Sequence, residues 1–294
     1  MPTTSPSTES SDSLDLELAG LDALDVPVAP APSALRRAWS ASWPKLAAFG
    51  VLLFLWQLIV WLHLKPSYVL PGPVPVFHRL FDDIGNGRLV KATWFTMRRA
   101  GVGFGMAVVI GSLLGVAVAR VKVLRAAIGS LITGLQTMPT IAWFPLAILL
   151  FHLSETAITF VVVLGAAPAI ANGLISGVDH IPPLLLRAGR VLGARGLSAY
   201  RHVIVPAALP GFVAGLKQGW AFAWRSLMAG ELLVIIAKRP SLGQQLDFAR
   251  QNSDAQGLMA TMVLILVIGI VVDSLLFGRL DRAIRHRWGL VDAA

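Results

Sequence analysis

LLLRAGRVLGARGLSAYRHVIVPAALP, residues 184–210, is the one stretch of this chain that apolar spanning runs do not explain. It is amphipathic and basic, with Arg187, Arg190, Arg195 and Arg201 and no acidic residue. Long hydrophobic runs flank it on both sides, so it lies at a membrane surface. Read from Pro183, the pattern gives a short helix over 184–192, a break at Gly193, a second short helix through His202 and a stop at Pro206. Gly193 and Gly196 loosen the chain, and Pro206 lacks the amide donor that a continuing helix needs. A helix-turn-helix lying flat on the cytoplasmic face exposes a rigid ridge to a soluble partner.

Composition fixes the class around this stretch. The 294 residues are 55% hydrophobic and 14% charged, with a mean hydropathy of +0.70. Soluble domains carry about a quarter charged residues, so the chain is expected to be an all-α polytopic membrane protein. The absence of cysteine removes disulfides and cysteine-ligated metal or haem sites. A net charge of +9 does not point to nucleic acid, because the basic residues cluster beside hydrophobic runs; the surface they meet is lipid.

Residues 1–33 are rich in Ser, Thr, Pro, Ala and acid, with too little apolar surface to fold alone. They read as a disordered acidic cytoplasmic tail, and their interleaved leucines and acids do not make a signal peptide. The membrane domain is expected over 34–294, with six spans at about 46–64, 101–119, 126–151, 156–178, 207–237 and 257–278. The first has 19 residues, about 28 Å of helix. The fifth is too long for one perpendicular crossing, so tilt or an extension beyond the bilayer must absorb the excess. Between the first two lies SYVLPGPVPVFHRLF, whose prolines read as breaking regular helix at its start. With the N-terminus inside, cytoplasmic segments hold fourteen Lys and Arg and outer segments nine. The positive-inside rule then places both termini and the 184–206 loop in the cytoplasm.

Several polar groups fall inside these runs. Pro139 and Pro145 in the third span each remove a backbone bond, which membranes tolerate where freed carbonyls face protein or a watery cavity. A kinked pore-lining helix and a kink that fits neighbouring helices are both consistent, with Gln136 and Trp143 nearby. Lys217, Arg225 and Glu231 lie in the fifth span, where ionisable groups are costly and favour a bundle interior or cavity. Arg225 and Glu231 point about 120° apart on a helix and cannot pair, so each needs a partner elsewhere. Lys217 can snorkel to the cytoplasmic side. Asn172, four residues after Pro168, either lines the same cavity or hydrogen-bonds between helices. Asp273 is expected to pair with a neighbouring basic group. His152 and Glu155 could share a helix face, but two ligands do not close a zinc site. GVGFG at 101–105 has no lysine at P-loop spacing and reads as close helix packing.

The loop resembles that of the inner-membrane permeases of binding-protein-dependent ABC importers, written EAA-x3-G-x9-I-x-LP. Arg187, Ala188 and Gly189 stand at its Glu-Ala-Ala, Gly193 is its glycine, Val203 and Val205 replace its Ile and Leu, and Pro206 is its proline. The permeases for sulfonates, nitrate, taurine and similar solutes are similar further along the chain. Leu70, Pro71, Gly72 and Pro73 look like their turn after the first span, and Arg99, Gly103 and Phe104 like the opening of their second. Pro139, Ala142, Trp143, Pro145 and Leu146 match their third span, and Trp224 and Glu231 their Trp-x6-Glu pattern. His152 stands where that group usually has Gly, and Arg187 where it has Glu.

The resemblance implies a type I importer fold, similar to the methionine-importer permease, in the cytoplasmic (inner) membrane. It implies a homodimer that docks a separate ABC ATPase on residues 187–189, 193, 203, 205 and 206 and receives solute from an extracytoplasmic binding protein. The chain itself would be no enzyme and hold no cofactor, with ATP bound by the partner. Gln136, Pro139, Trp143, Asn172, Trp224, Arg225 and Glu231 are the candidate pathway residues. An ion-coupled secondary transporter is the alternative; it calls for inverted repeats and intramembrane acids. A membrane enzyme would carry an HExxH or GxSxG pattern, and neither is present.

Overall fold

A computed structural model of the chain describes residues 34–236 and 239–287. The acidic tail expected over 1–33 lies outside the described residues. Every regular element is a helix: α1 (Ala34–Trp61), α2 (Pro73–Gly85), α3 (Arg88–Arg120), α4 (Lys122–Thr137), α5 (Phe144–Phe151), α6 (Glu155–Asp179), α7 (Pro183–Val191), α8 (Val205–Leu233), α9 (Leu242–Gln251), α10 (Ala255–Val272) and α11 (Gly278–Arg287). The chain divides into two units after Trp56. The first contributes the start of α1, which stays helical through Pro44. The remaining helices form the second unit.

Among the described residues five helices are long and apolar enough to cross a membrane, six if α4 and α5 count as one broken span. The break is sharper than a kink: the two halves are bent by 103°. Met138 is extended ahead of Pro139, as proline demands of the residue before it. One 3-10 turn, Thr140–Trp143, then leads into α5.

α6 is the central post, packed between α3 and α8. Small residues every fourth position make this possible. Gly173 and Gly177 on α6 face Gly215 and Gly211 on α8 so closely that a side chain on any of them would enter the opposite backbone. On the other side, a Cβ at Gly111 would lie 2.6 Å from the Ala167 carbonyl. Without a hydrophobic force between helices in lipid, such close backbone approach supplies the packing that holds them together. In GVGFG only Gly103 has this role, against Val162; Gly101 and Gly105 have open space.

Three boundaries differ from the sequence expectation. The second span is a helix of 33 residues that begins at Arg88, not near 101. Prolines 73 and 75 do not prevent a helix; they occupy the first turn of α2, where a missing N–H costs nothing. Pro206 does not stop the chain either. A turn at Leu197–Ala199 widens into a π turn, Tyr200–Ile204, in which Val205 N donates to Tyr200 O, and the helix continues as α8 to Leu233. The fifth helix therefore ends at Leu233 rather than near 237, and continues the turns of the loop at its other end.

Candidate functional site

The loop that joins α6 to α8 sits at one end of the bundle. Pro183 opens α7 at a position that needs no donor. The helix ends in a closed turn: Gly193, at φ +85, donates to Arg190 O at 3.1 Å and Ala194 N to Gly189 O at 2.9 Å. That pair of bonds is a Schellman cap, which requires a left-handed residue at the glycine position. The returning segment packs on α7 through Val203, and a Cβ at Gly189 would meet it at 2.8 Å. Arg187 and Ala188 are exposed, as are Arg190, Arg195 and Arg201; Val205 is exposed and Pro206 half-buried. Val191, Leu192 and Leu197 are 82–87% exposed. The double turn thus holds apolar side chains outward between arginines, an exposed patch of the kind that marks protein or membrane contacts. Two contacts brace it: the Arg120 guanidinium lies 4.2 Å over the Tyr200 ring, and Arg125 pairs with Asp179 at 2.7 Å.

At the opposite end of α3, α6 and α8 an ion network joins four helices. Arg99 on α3 holds Glu155, the first residue of α6, by two bonds of 2.7 and 2.8 Å. Its remaining nitrogen donates to Glu231 of α8 at 3.0 Å. Glu231 also accepts from Thr96 Oγ1 at 2.9 Å and from Gly243 N, at the start of α9, at 3.1 Å. Thr96 Oγ1 in turn accepts from Leu242 N at 3.0 Å, and Arg239 adds a second cation to Glu155 at 3.2 Å. Glu231 has no solvent exposure. Two carboxylates meeting two guanidiniums, with all four carboxylate oxygens accepting a bond, is the arrangement in which buried charge is tolerated.

The candidate pathway residues separate in space. Glu231 belongs to that buried network. Gln136 Nε2 donates to Pro168 O at 3.3 Å and clamps α4 to α6. Pro139 lies in the break, and Trp143 packs against the core beside Phe144. Asn172 is half-buried on α6. Trp224 and Arg225 share a groove of about 630 Å³ between α8, α9 and α10. Trp224 stacks on Trp220, with centroids 6.0 Å apart. One face of α8 is exposed along its length and carries Ala214, Lys217, Gln218, Ala221 and Arg225. Lys217 pairs with Asp273 at 3.3 Å, the kind of neighbour expected for that acid.

Sequence reading missed Arg99, Thr96, Glu155 and Arg239 as partners of Glu231 or of one another. Arg99 precedes the second apolar run at 101–119, and the sequence offers Glu155 only as a possible metal ligand beside His152. The available signal was the need of an intramembrane acid for a cation.

Over residues 107–286 the chain matches the family described as binding-protein-dependent transport system inner membrane component. It is 30% identical to a Brucella melitensis protein named a probable ABC transporter permease, over 79% of this chain and 92% of that one. It is 26% identical to the taurine transport system permease protein TauC of Escherichia coli, over 78% and 84% of the two chains. Further relatives are permeases named for aliphatic sulfonates in Bacillus subtilis and for nitrate in Synechocystis. Among solved structures, a chain of the inward-facing MetNI methionine ABC transporter aligns with a TM-score of 0.57 at 24% identity, covering 67% of this chain and 95% of that one. At that identity the likeness is one of fold.

Proposed function

The chain belongs to the family of binding-protein-dependent transport system inner membrane components, the permeases of ABC importers, and from that premise we propose that it moves a small solute inward with a separate ATPase docked on residues 184–206. The observation that carries the docking assignment is the outward display of Val191, Leu192 and Leu197 on the capped turn. Arg187, Ala188, Gly189, Gly193, Val203, Val205 and Pro206 build that ridge: Gly189 and Val203 close its two limbs, and Gly193 sets its bend. ATP closes the partner ATPase, the ridge moves with it, and α6 and α8 transmit the motion as one tightly packed pair.

Two copies of the chain pair around the passage. The polar face of α8 supports this, because Lys and Arg facing lipid near the bilayer centre cost about 2.5–3.5 kcal/mol each. An extracytoplasmic binding protein delivers the solute, a sulfonate, nitrate, taurine or a similar molecule, in keeping with the relatives' names. The excess of arginine and lysine on the loop side favours a cytoplasmic loop and cytoplasmic termini in the inner membrane.

Reconstitution tests the reading. The purified chain alone is expected to show no ATP turnover, and to form a turning-over complex with its ATPase subunit. Turnover by the isolated chain would sink the assignment. Because the chain has no cysteine, labelling of Ser198→Cys tests orientation; modification by an impermeant reagent outside intact cells would reverse the topology.

A further inference from the structure

We propose that Arg225 is a solute-contacting residue that selects an organic oxyanion with an apolar body, such as a sulfonate. This rests on the permease reading, since it takes the groove beside α8 to open on the passage.

The guanidinium is fixed but not neutralised. Arg225 Nε donates to Ala221 O at 3.0 Å, and the group lies 4.7 Å over the Phe222 ring. Among the described residues no carboxylate pairs with it. The other cation on the same face, Lys217, is paired with Asp273, so Arg225 is the uncompensated charge of that face. With Nε taken by Ala221, neither terminal nitrogen of Arg225 makes a hydrogen bond or ion pair among the described residues. A planar pair of donors matches two oxygens of a sulfonate, carboxylate or phosphonate, a geometry that a lysine point charge does not offer.

The walls define the rest of the ligand. Trp220, Trp224, Met228, Met262 and Ile265 line the groove beside Arg225. Stacked indoles and flexible thioethers favour an apolar or aromatic body. A bare inorganic anion would use the fork and leave that surface empty. In a paired assembly two copies of Arg225 would face a shared passage, and their mutual repulsion adds to the preference for an anion over a neutral or cationic solute.

The test uses the full chain in phosphatidylcholine nanodiscs, titrated calorimetrically with benzenesulfonate, uncharged methyl phenyl sulfone, benzylamine and nitrate. Benzenesulfonate is expected to bind saturably and more tightly than the other three. Arg225→Gln should weaken it roughly tenfold to a hundredfold, the worth of a charge-assisted pair of hydrogen bonds. Arg225→Lys should keep an intermediate affinity. Ala221→Glu, one turn away, should also weaken binding while Arg225 remains, by supplying an internal partner. Thermal unfolding checks that each variant is folded. Sulfonate affinity within twofold of wild type in folded Arg225→Gln overturns the proposal, as does equal binding of the neutral sulfone or no saturable sulfonate binding by the wild type. Capture of the ATPase subunit on the wild-type chain is measured separately. Failure there with sulfonate binding intact counts against the permease reading alone.

Discussion

Arg99 Nη1 lies 3.0 Å from Glu231 Oε1, so one guanidinium at the end of the bundle opposite the α7 loop ties α3 to α8 while its other nitrogens tie α3 to α6. Removing one partner of a buried pair strands the other, which typically costs about 3–5 kcal/mol. Glu231→Ala is therefore expected to lower the thermal unfolding midpoint in detergent by roughly 10 °C. Glu155→Ala should cost much less, because Glu155 is one-third exposed and Arg99 retains Glu231. Equal losses for the two variants would mean that the network is not organised around the buried carboxylate.

The α6–α8 crossing makes a second claim. Gly173→Ala places a methyl group in the backbone of Gly215, and overpacking of this kind costs about 1–3 kcal/mol or more. Gly105→Ala enters open space on α3 and should stabilise by about 0.5–1 kcal/mol through helix propensity. Chemical denaturation of the two variants side by side checks this. Destabilisation by both would show that α3 packs on another surface at Gly105.

His152 occupies a glycine conformation, with φ 57 and ψ −165, where a side chain carries about 1–3 kcal/mol of backbone strain. His152→Gly should raise the unfolding midpoint, and His152→Val should lower it further than any loss of histidine contacts explains. A lower midpoint for the glycine variant would refute the strain.

These features were unequally visible in the chain's own letters. Gly193 was legible as a break because a left-handed cap favours glycine, and the loop's local pattern determines it. The all-helical class followed from a membrane composition together with six long apolar runs. Pro206 was misread because its local rule, that proline ends a helix, is overridden when the preceding turn widens and Val205 reaches back to Tyr200. Arg99 escaped because its partners lie 56 and 132 residues away. No window centred on Arg99 contains the carboxylates that make it part of a helix interior rather than of a loop. The 103° break after Met138 was half legible: two prolines announced a distortion, but its angle depends on how α4 and α5 pack against α6.

The loop proposed to dock the ATPase yields the last prediction. A Cβ at Gly193 would meet nothing within 4 Å, so the demand for glycine is conformational and not spatial. Asn tolerates the left-handed region, whereas Val and Trp do so at a cost. Gly193→Asn should therefore keep coupling, while Gly193→Val and Gly193→Trp should raise the ATP consumed per solute moved in proteoliposomes that contain the ATPase and binding protein. Insertion should survive in all three, since the apolar helices on either side are unchanged. Arg187 is exposed on α7 and pairs with no carboxylate among the described residues, so Arg187→Glu is expected to leave transport nearly intact. A severe loss in that variant would mean that the ATPase carries an acidic partner for Arg187. Normal coupling in Gly193→Trp would remove the capped turn from the path by which ATP hydrolysis reaches the membrane helices.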